Sequence, residues 1–377
     1  MTSRERILAA FSMRDVDHVP CSIYLNANMT GVGYDPSTPE SVIAFHERLG
    51  TDPVVDIPAV AAHPHLEVRV RTWTERPAGA PGEVLFKEYA TPAGTLRVGV
   101  RLTPEWPFGG DIPFPGDDFC TSHLWEPLIK GPEDVDAYAF LLRPPARADV
   151  DRKRERIDAV VRAARARGVA VRVTAGQGLA TLLFQMGAEH LVLFAVDHPE
   201  AFARLARLES DVTVASIPLY AELGVDVLKR FGGYEQTNFF SPAIWRGVVA
   251  PLLRREVETA RAAGLPIYYR VVTGMKPLLD DIGALGLDCV EGFEPVLSDC
   301  PNAVVAGRLR GKTCLWTGVS SPGHLGGTDE TGVRRAVREA MEAFGRRGFI
   351  LGVTNSIRAH WRWENTLAML DEWKKLR

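Results

Sequence analysis

The feature that most constrains the fold is an alternation between long helical patterns and short apolar runs, which begins near Gly131. The charged amphipathic stretch "RADVDRKRERIDAVVRAARARG" precedes "VAVRVTAG", and "SPAIWRGVVAPLLRREVETARAAG" precedes "LPIYYRVV". Helix patterns of this kind end in glycine, which favours a helix C-terminus, and a strand pattern follows within a few positions. The alternation predicts a parallel sheet whose strands are connected by helices.

The number of strand patterns favours an α/β fold of the (β/α)8 TIM-barrel type, which needs about eight strands. No glycine-rich dinucleotide-binding turn follows the first pattern, and this argues against an open Rossmann-type sheet. The candidate strands are "HVPCSIYL", "DPVVDIPAV", "VAVRVTAG", "DVLKRFG", "LPIYYRVV", "DCVEGFE", "AVVAGRL", "TCLWTGV" and "FILGVTN".

A different sequence pattern interrupts the alternation of helix and strand patterns at about residues 65–127. "HLEVRVRTWTE" and "TLRVGVRL" alternate with a period of two, and the turn "TPAGT" precedes the second, which predicts antiparallel strands with one wet face. Residues 104–127 are rich in Pro, Gly and aromatics and predict a long loop over the barrel mouth. Its aromatic residues either form a lid over a ligand or a small core beneath the loop: Trp106, Phe108, Phe114, Phe119 and Trp125. We expect one domain over residues 1–377, with residues 65–127 as a hairpin and cap insertion.

Composition excludes several function classes. The 377 residues carry 44 basic and 47 acidic side chains, so a clustered basic surface for nucleic acid is not expected. No apolar run reaches the length of about 18 residues that a membrane span needs. The first residues, "MTSRERILAAF", lack the apolar stretch of a signal peptide, and the five scattered cysteines have no CxxC spacing. We therefore predict a cytoplasmic protein with reduced thiols.

In a TIM barrel the functional site lies where the strands end and the βα loops begin. This rule selects polar side chains that suit an anionic or heavily oxygenated small molecule. The predicted substrate-binding residues are Tyr24, Asn26, Asn28, Asp56, Gln177, Arg230, Tyr234, Gln236, Asn238, Arg270, Trp316, Asn355 and Arg358. The candidate general acids and bases are Glu291, Glu294, His324 and His360.

Arg270 is the most informative of these residues, because it stands among apolar residues in "IYYRVV". An unpaired buried guanidinium is very costly, so it binds the anionic group of a substrate, pairs with Glu291 or Glu294, or does both. Each glutamate could serve as a base or as the partner of an arginine. His324 and His360 are either acids or bases near neutral pH, or partly exposed loop histidines.

Phrases along nearly the whole chain resemble the uroporphyrinogen decarboxylase superfamily, which includes corrinoid-linked methyltransferases. "RERILAAFSMRDVDHVP" is similar to the family's opening helix and its Asp-x-x-Pro entry to the first strand. "TPAGTLR" and "HLWEPLIKGPEDVDAY" resemble the methyltransferase-like branch, and "FFSPAIWRGVVAPLLRREVETARAAGLPIYYR" resembles the family's Ser-Pro helix and the strand after it. "CLWTGVSSPGHLGG" and "GFILGVTNSIRAHWRWENTLAML" resemble the last two strand–helix units. The resemblance implies a TIM-type barrel and a homodimer.

The chain departs from two known branches of this superfamily. Thiol-alkylating members bind zinc through a His-x-Cys and a later Cys, and the matching positions here are Arg270, Val272 and Asn355. Arginine and valine are not zinc ligands, so we do not expect that zinc site. The decarboxylase binds its substrate's carboxylates with two arginines in an "R-Q-A-G-R" loop, whereas "YLNANMTGVG" here has none. Asp56 matches the decarboxylase's key Asp only loosely, and uroporphyrinogen is not the expected substrate.

The resemblance implies a methyltransferase-like enzyme that demethylates a small O-, N- or S-methyl substrate, anionic or methoxylated. The acceptor would be a corrinoid protein or tetrahydrofolate, with no tightly bound cofactor. The alternative is a cofactor-independent decarboxylase acting on another small carboxylate. A third hypothesis is a non-catalytic protein that binds a tetrapyrrole or a corrinoid. Neither nucleic acid nor a membrane is an expected partner.

Overall fold

The computed structural model describes residues 1–114 and 123–377, and these form eleven strands in two sheets. In chain order the strands are β1 (Val54–Asp56), β2 (Arg69–Glu75), β3 (Val84–Thr91), β4 (Gly94–Arg101), β5 (Leu124–Glu126), β6 (Ala170–Gly176), β7 (Val227–Phe231), β8 (Ile267–Arg270), β9 (Cys289–Glu291), β10 (Cys314–Val319) and β11 (Phe349–Val353). The chain divides into two compact units, one of residues 1–59, 151–175 and 217–377, the other of residues 60–150 and 176–216.

The first unit contains a seven-stranded parallel sheet in the order β1-β6-β7-β8-β9-β10-β11. Nearly sequential strand order with intervening helices is the arrangement that the alternating pattern predicts, so the α/β class is confirmed. The α-helices of this unit are Ser3–Phe11, Pro39–Leu49, Arg154–Ala166, Pro242–Ile244, Ala250–Ala262, Leu279–Gly283, Asn302–Leu309, Glu330–Phe344 and Trp363–Leu376. The turns Trp245–Val249 and Ser321–Leu325 are π-helical.

One face of this sheet packs against the first helix, which is capped at its N-terminus by Thr2 and Glu5. Ile7, Ala10 and Phe11 of the helix lie in a buried cluster with alternate residues of the strands. The strand members of this cluster are Ala170, Val227, Tyr268, Cys289, Cys314, Trp316 and Ile350. Because side chains alternate along a strand, the cluster identifies which strand residues share this face.

The first predicted strand, "HVPCSIYL", is not a regular strand, so the closed barrel is only approximated. The segment makes two isolated parallel bridges, Cys21 to Leu351 and Leu25 to Ile357. Cys21 and Leu25 are four residues apart, whereas their partners Leu351 and Ile357 are six residues apart. The two extra residues on the partner segment interrupt the ladder of hydrogen bonds. Near the start of β1, the Asp52 amide donates to the Cys21 carbonyl oxygen at 2.7 Å.

A second correction concerns "AVVAGRL", which we predict as a strand and which forms the helix Asn302–Leu309. A short apolar run has no periodicity that separates a buried strand from a helix. In the folded chain Val305 and Leu309, four residues apart, are both buried, whereas Gly307 between them is exposed. That spacing places the two apolar side chains on one helical face.

The second unit contains the antiparallel sheet β2-β3-β4-β5, and the predicted antiparallel strands fall on β2 and β4. β3 lies between them, buries Val84, Leu85 and Phe86, and is not among the predicted strands. The turn "TPAGT" accordingly joins β3 to β4. Helices Val135–Ala139, Leu179–Met186 and Ala188–Asp197 belong to this unit, while Arg147–Asp151 and Pro199–Ala221 cross its boundaries.

The aromatic residues of the predicted cap pack within the second unit. The Trp106 ring lies 5.2 Å from Phe108 and 5.4 Å from His123, between ring centroids. Phe114 lies 6.1 Å from both Tyr89 and Tyr138. These contacts favour the small-core interpretation for Trp106 and Phe114, while Phe119 lies outside the described residues.

No single helix within residues 1–114 and 123–377 is long and apolar enough to cross a membrane. The helices Leu179–Met186 and Ala188–Asp197 meet the length and composition test only as a pair, and they are bent by 111°.

Candidate functional site

A layer of charged side chains lies on the sheet face that packs against the first helix. Arg172, Arg270 and Glu291 each stand two residues after a member of the buried cluster, on β6, β8 and β9. Lys229 has the same relation to Val227 on β7, and Asp56 to Val54 on β1. Side chains two apart on a strand point the same way, so all five share one face at the carboxyl ends of their strands. Three cations thus face two carboxylates, and we call these five residues the charged layer.

Asp56 and Arg172 form one ion pair of the layer. Arg172 Nε and Nη2 donate to the two carboxylate oxygens of Asp56 at 2.7 and 2.6 Å. Arg172 Nη1 also donates to the Tyr268 hydroxyl at 3.0 Å. The surrounding protein atoms partly desolvate the Asp56 carboxyl, whose side chain is 47% exposed, and this opposes its ionisation; the charge and hydrogen bonds of Arg172 outweigh that effect, and the pKa of Asp56 is lowered. The aspartate is therefore ionised at neutral pH and orients the guanidinium.

Arg270 and Glu291 form the second ion pair, which resolves the choice between the two glutamates. Arg270 Nη1 donates to Glu291 Oε1, and Nη2 lies 3.5 Å from the Thr354 carbonyl oxygen. Both side chains are buried. Glu291 Oε2 is buried and has no hydrogen-bond partner among the described residues. An unsatisfied buried carboxylate oxygen is costly, so this atom is a place where a ligand or a proton would be stabilised.

Glu294 holds the loop after β9 instead of pairing with Arg270. Its Oε2 accepts from the Thr354 hydroxyl at 2.6 Å, and its Oε1 accepts from the Val296 amide at 2.9 Å. Glu294 and Thr354 are both fully buried. The carboxylate therefore has hydrogen-bond donors on both oxygens and fits a structural role.

Lys229 belongs to the charged layer but is not among the predicted site residues. It stands opposite Tyr268 in the β7–β8 register, and its ammonium lies 5.9 Å from the centroid of the Phe231 ring. Burial, together with the positive charges of Arg172 and Arg270, lowers the pKa of Lys229 to about 8, although Glu291 and Asp56 act to raise it. An amine with such a pKa is a proton donor at neutral pH and a nucleophile just above it.

Arg230, the residue predicted from the same strand, lies on the opposite face. Its Nη2 donates to Glu235 at 2.9 Å and its Nε to Glu256 at 2.7 Å. The Tyr269 hydroxyl donates to Glu235 at 2.8 Å. All four side chains are buried, so the structure places Arg230 in an ion-pair network behind the sheet. The signal for choosing Lys229 instead was the alternation of sides within "DVLKRFG".

A pocket of about 630 Å³ reaches one end of the charged layer. Tyr24, Tyr34, Asp56 and Arg172 are among the residues that line it. The Tyr24 side chain is exposed, whereas Tyr34 is largely buried. This volume is sufficient for a small ligand, and its wall supplies an exposed carboxylate and a guanidinium.

The structure places five other predicted binding residues in the loops that follow the first segment and β7. Asn26 Oδ1 accepts a hydrogen bond from the backbone amide of Asn28, and the residue Asn28 is exposed. Gln236 is buried and accepts from the Thr273 hydroxyl, whereas Asn238 is exposed and donates to the same hydroxyl at 3.4 Å. The Tyr234 ring contacts the rings of Phe231 and Phe239.

Trp316 lies on the face of the charged layer, opposite Glu291 in the β9–β10 register. Its indole Nε1 donates to the Ser22 carbonyl oxygen at 3.1 Å. A Cβ on Gly352 would approach the indole to 2.6 Å, so glycine at that position leaves room for the ring. Trp316 thus forms an apolar wall beside Glu291.

The remaining predicted residues lie in loops. Asn355 and Arg358 follow β11; the Asn355 amide donates to Ser321 Oγ at 2.9 Å, and Arg358 is exposed. Gln177 follows β6 and belongs to the second unit, where its carbonyl accepts from the Ala180 amide at 3.1 Å.

His324 and His360 do not join the charged layer. His324 Nδ1 accepts a hydrogen bond from the Ser320 amide at 3.0 Å, and burial lowers the pKa of its imidazole. His324 is therefore neutral at pH 7 and lines a separate pocket of about 640 Å³ with Glu339 and Glu342. His360 is exposed beside Trp361.

The residues present do not fit the zinc site of the thiol-alkylating relatives. Arg270, at the position matched to a ligand, is committed to Glu291. Within residues 1–114 and 123–377, no three His, Cys, Asp or Glu side chains converge as a metal site would require. Cys21, Cys289, Cys300 and Cys314 are free and buried.

Comparison with solved structures shows the fold. A methyltransferase from Methanosarcina mazei is similar over 100% of this chain and 99% of its own, with a TM-score of 0.64 and 15% identity. A B12-independent methionine synthase from Shewanella sp. W3-18-1 is more distant, with a TM-score of 0.42 and 10% identity over 58% of this chain and 64% of its own. A search of the curated proteins by sequence finds no match.

The family follows from the sequence match. The model of uroporphyrinogen decarboxylase (URO-D) matches residues 101–376, which include β6 to β11 and four of the five residues of the charged layer. The strand order and the whole-length similarity to the Methanosarcina mazei protein agree with that match. The chain therefore belongs to the uroporphyrinogen decarboxylase family.

Proposed function

We propose that this chain is a methyltransferase-like enzyme that removes a methyl group from a small anionic O-, N- or S-methyl substrate. The observation that carries the proposal is the excess of positive charge in the charged layer, where Arg172, Lys229 and Arg270 face Asp56 and Glu291. Partly desolvated cations of this kind attract an anion, because ligand binding restores the charge balance.

The chemistry assigned to the layer is anion binding and proton transfer. Arg172 and Arg270 are oriented by their carboxylates and would bind the anionic group of the substrate. The Lys229 ammonium would donate a proton to the oxygen, nitrogen or sulfur that loses the methyl group. The methyl group would pass to a nucleophile on the acceptor, and its bonding electrons would remain on the protonated leaving atom.

The proposed acceptor is a corrinoid protein or tetrahydrofolate, and no tightly bound cofactor is part of the proposal. The similarity in length and fold to a methyltransferase from Methanosarcina mazei supports this class of reaction. The lack of fit to a zinc site argues against a free thiol as the acceptor, since zinc is what activates the thiol in the thiol-alkylating relatives.

The second candidate is a cofactor-independent decarboxylase acting on a small carboxylate other than uroporphyrinogen. The same cations would bind the carboxylate, and Lys229 would protonate the carbanion left after CO2 departs. The family membership favours this candidate, and Lys229 supplies the acid that it needs.

A ligand screen followed by product analysis tests both candidates. Thermal shift with methoxylated, N-methylated and carboxylated small anions should identify ligands, because binding stabilises the native state. The ligands found are then incubated with a corrinoid protein, with tetrahydrofolate or with neither. Demethylated product that depends on the acceptor supports methyl transfer, and CO2 released without additives supports the decarboxylase. Binding of a tetrapyrrole without turnover would contradict both and favour the non-catalytic binder.

A further inference from the structure

The position and surroundings of the Lys229 amine suit a second role besides proton donation. We infer that Lys229 is a nucleophile that forms an imine with the carbonyl carbon of a small oxo-carboxylate, whose carboxylate group binds to Arg172 and Arg270. The inference goes beyond methyl transfer, which needs no covalent bond to the protein. It begins from the position of Lys229 on β7, where it follows the buried Val227 and faces the charged layer.

The two strands on either side of β7 each contribute a charged group that acts on Lys229. β1 contributes Asp56, β6 contributes Arg172, β8 contributes Arg270, and β9 contributes Glu291; each of the four acts electrostatically on the lysine. The two carboxylates are already engaged by the two guanidinium groups. The remaining charge is therefore that of the amine itself, and two fixed cations favour its neutral form.

A neutral amine is what nucleophilic attack requires. With the pKa of Lys229 lowered from 10.5 to about 8, roughly one tenth of the amine is neutral at pH 7. An ordinary lysine at the same pH is neutral roughly 300-fold less often. Desolvation together with neighbouring cations is the known physical means of making a lysine nucleophilic.

The layer also contains the other groups that imine formation needs. The nitrogen attacks the carbonyl carbon, a C=N bond replaces the C=O bond, and the carbonyl oxygen leaves as water. Two protons move from nitrogen to that oxygen, and the unpartnered Glu291 Oε2 is a buried acceptor and donor for such a transfer. Arg172 and Arg270 would hold the carboxylate and so orient the carbonyl group towards the amine.

The consequence for a 3-oxo-carboxylate rests on the decarboxylase candidate. The protonated imine would accept the electron pair released as the C–C bond to CO2 breaks, and an enamine would result. Protonation at carbon followed by hydrolysis would return the free amine and the ketone. Imine formation itself does not depend on this later step.

Reductive trapping tests the inference on the full-length protein. The protein is incubated with pyruvate or acetoacetate and sodium cyanoborohydride, and adducts are located by peptide mass spectrometry. We expect one adduct at Lys229, formed at least tenfold faster than at Lys375, whose side chain is 63% exposed. Neutral acetone should label Lys229 more slowly than pyruvate. Adducts spread over exposed lysines with Lys229 unmodified would overturn the inference.

Two variants separate chemistry from folding. Lys229→Arg keeps the positive charge but has no nucleophilic amine, and it should abolish the adduct while circular dichroism stays unchanged. Arg270→Lys keeps a cation opposite Glu291 and should slow labelling by pyruvate more than labelling by acetone. Equal slowing of both probes would contradict the assigned carboxylate contact.

The trapping result is independent of the proposed function. An adduct at Lys229 without CO2 release from acetoacetate would support the imine and contradict decarboxylation of that substrate. Absence of any adduct, in protein that demethylates a substrate, would overturn the imine and leave methyl transfer standing.

Discussion

Arg270 and Glu291 depend on each other, because both are buried and each satisfies the other's charge. Removing one partner of a buried ion pair leaves an uncompensated charge, which costs far more than the pair itself contributes. Single and double variants at these two positions therefore measure how much the ion pair contributes to stability.

Arg270→Met should lower the free energy of unfolding by about 3–5 kcal/mol, because it leaves the Glu291 carboxylate unpaired. Arg270→Met/Glu291→Gln should recover much of that loss, since neither of these two positions then carries an unpaired charge. Urea denaturation at pH 7 measures both, and Arg358→Met, at an exposed position, is the matched control. A double variant as unstable as the single one would show that the ion pair is not the cause.

The pKa of Lys229 makes its contribution to stability depend on pH. The folded pKa is about 8 and the ordinary value is 10.5, so the unfolded chain binds more protons between these pH values. Stability from this residue therefore rises with pH across that window. Lys229→Met should raise the free energy of unfolding at pH 7 by about 2 kcal/mol, after allowance for solvent screening of a partly exposed amine. The gain should shrink by pH 10; a gain independent of pH would contradict the lowered pKa.

The helix Asn302–Leu309 shows that packing determines whether a short apolar run forms a strand or a helix. In a strand, "AVVAGRL" would place alternate residues on opposite faces, whereas the helix buries Val305 and Leu309 on one side. Gly307 is exposed, and a Cβ there would meet nothing within 4 Å. The two assignments therefore predict different effects of alanine at this position.

Gly307→Ala should stabilise the protein by about 0.5–1 kcal/mol, because alanine favours a helix interior over glycine. Thermal or urea denaturation measures the change. Gly352→Ala is the contrasting variant on β11: its Cβ would press on the Trp316 indole, so a loss of about 1–3 kcal/mol and altered tryptophan fluorescence are expected. Destabilisation by Gly307→Ala would contradict the helical assignment.

Family membership and fold agree, whereas the assembly and the cellular location of the protein are predictions. The resemblance implies a homodimer, and a cytoplasmic location is expected from the sequence. Sedimentation or light scattering over a range of protein concentrations measures the assembly: a mass near twice 41.4 kDa is expected. A mass of one chain at every concentration would contradict the dimer.

The element order was predictable from sequence because helix and strand periodicities are local properties. Seven strands of the parallel sheet fall on predicted segments, and Arg270 was recognised from its apolar neighbours alone. The failures have physical causes. "HVPCSIYL" lost its regular ladder because its partner segment contains two extra residues between the bridges, and β3 has a buried start that weakens its two-residue pattern.

The α/β class, the family resemblance and the energetic cost of an unpaired arginine in β8 are all evident from local patterns in the chain. The three-dimensional arrangement of the strands determines which charges meet. It pairs Arg270 with Glu291 rather than Glu294 and places Lys229 beside two guanidinium groups. It also places Arg230 on the opposite face of the sheet, in an ion pair with Glu235. The reason is that the electrostatic environment of a side chain depends on neighbours from other strands, and those are distant in sequence.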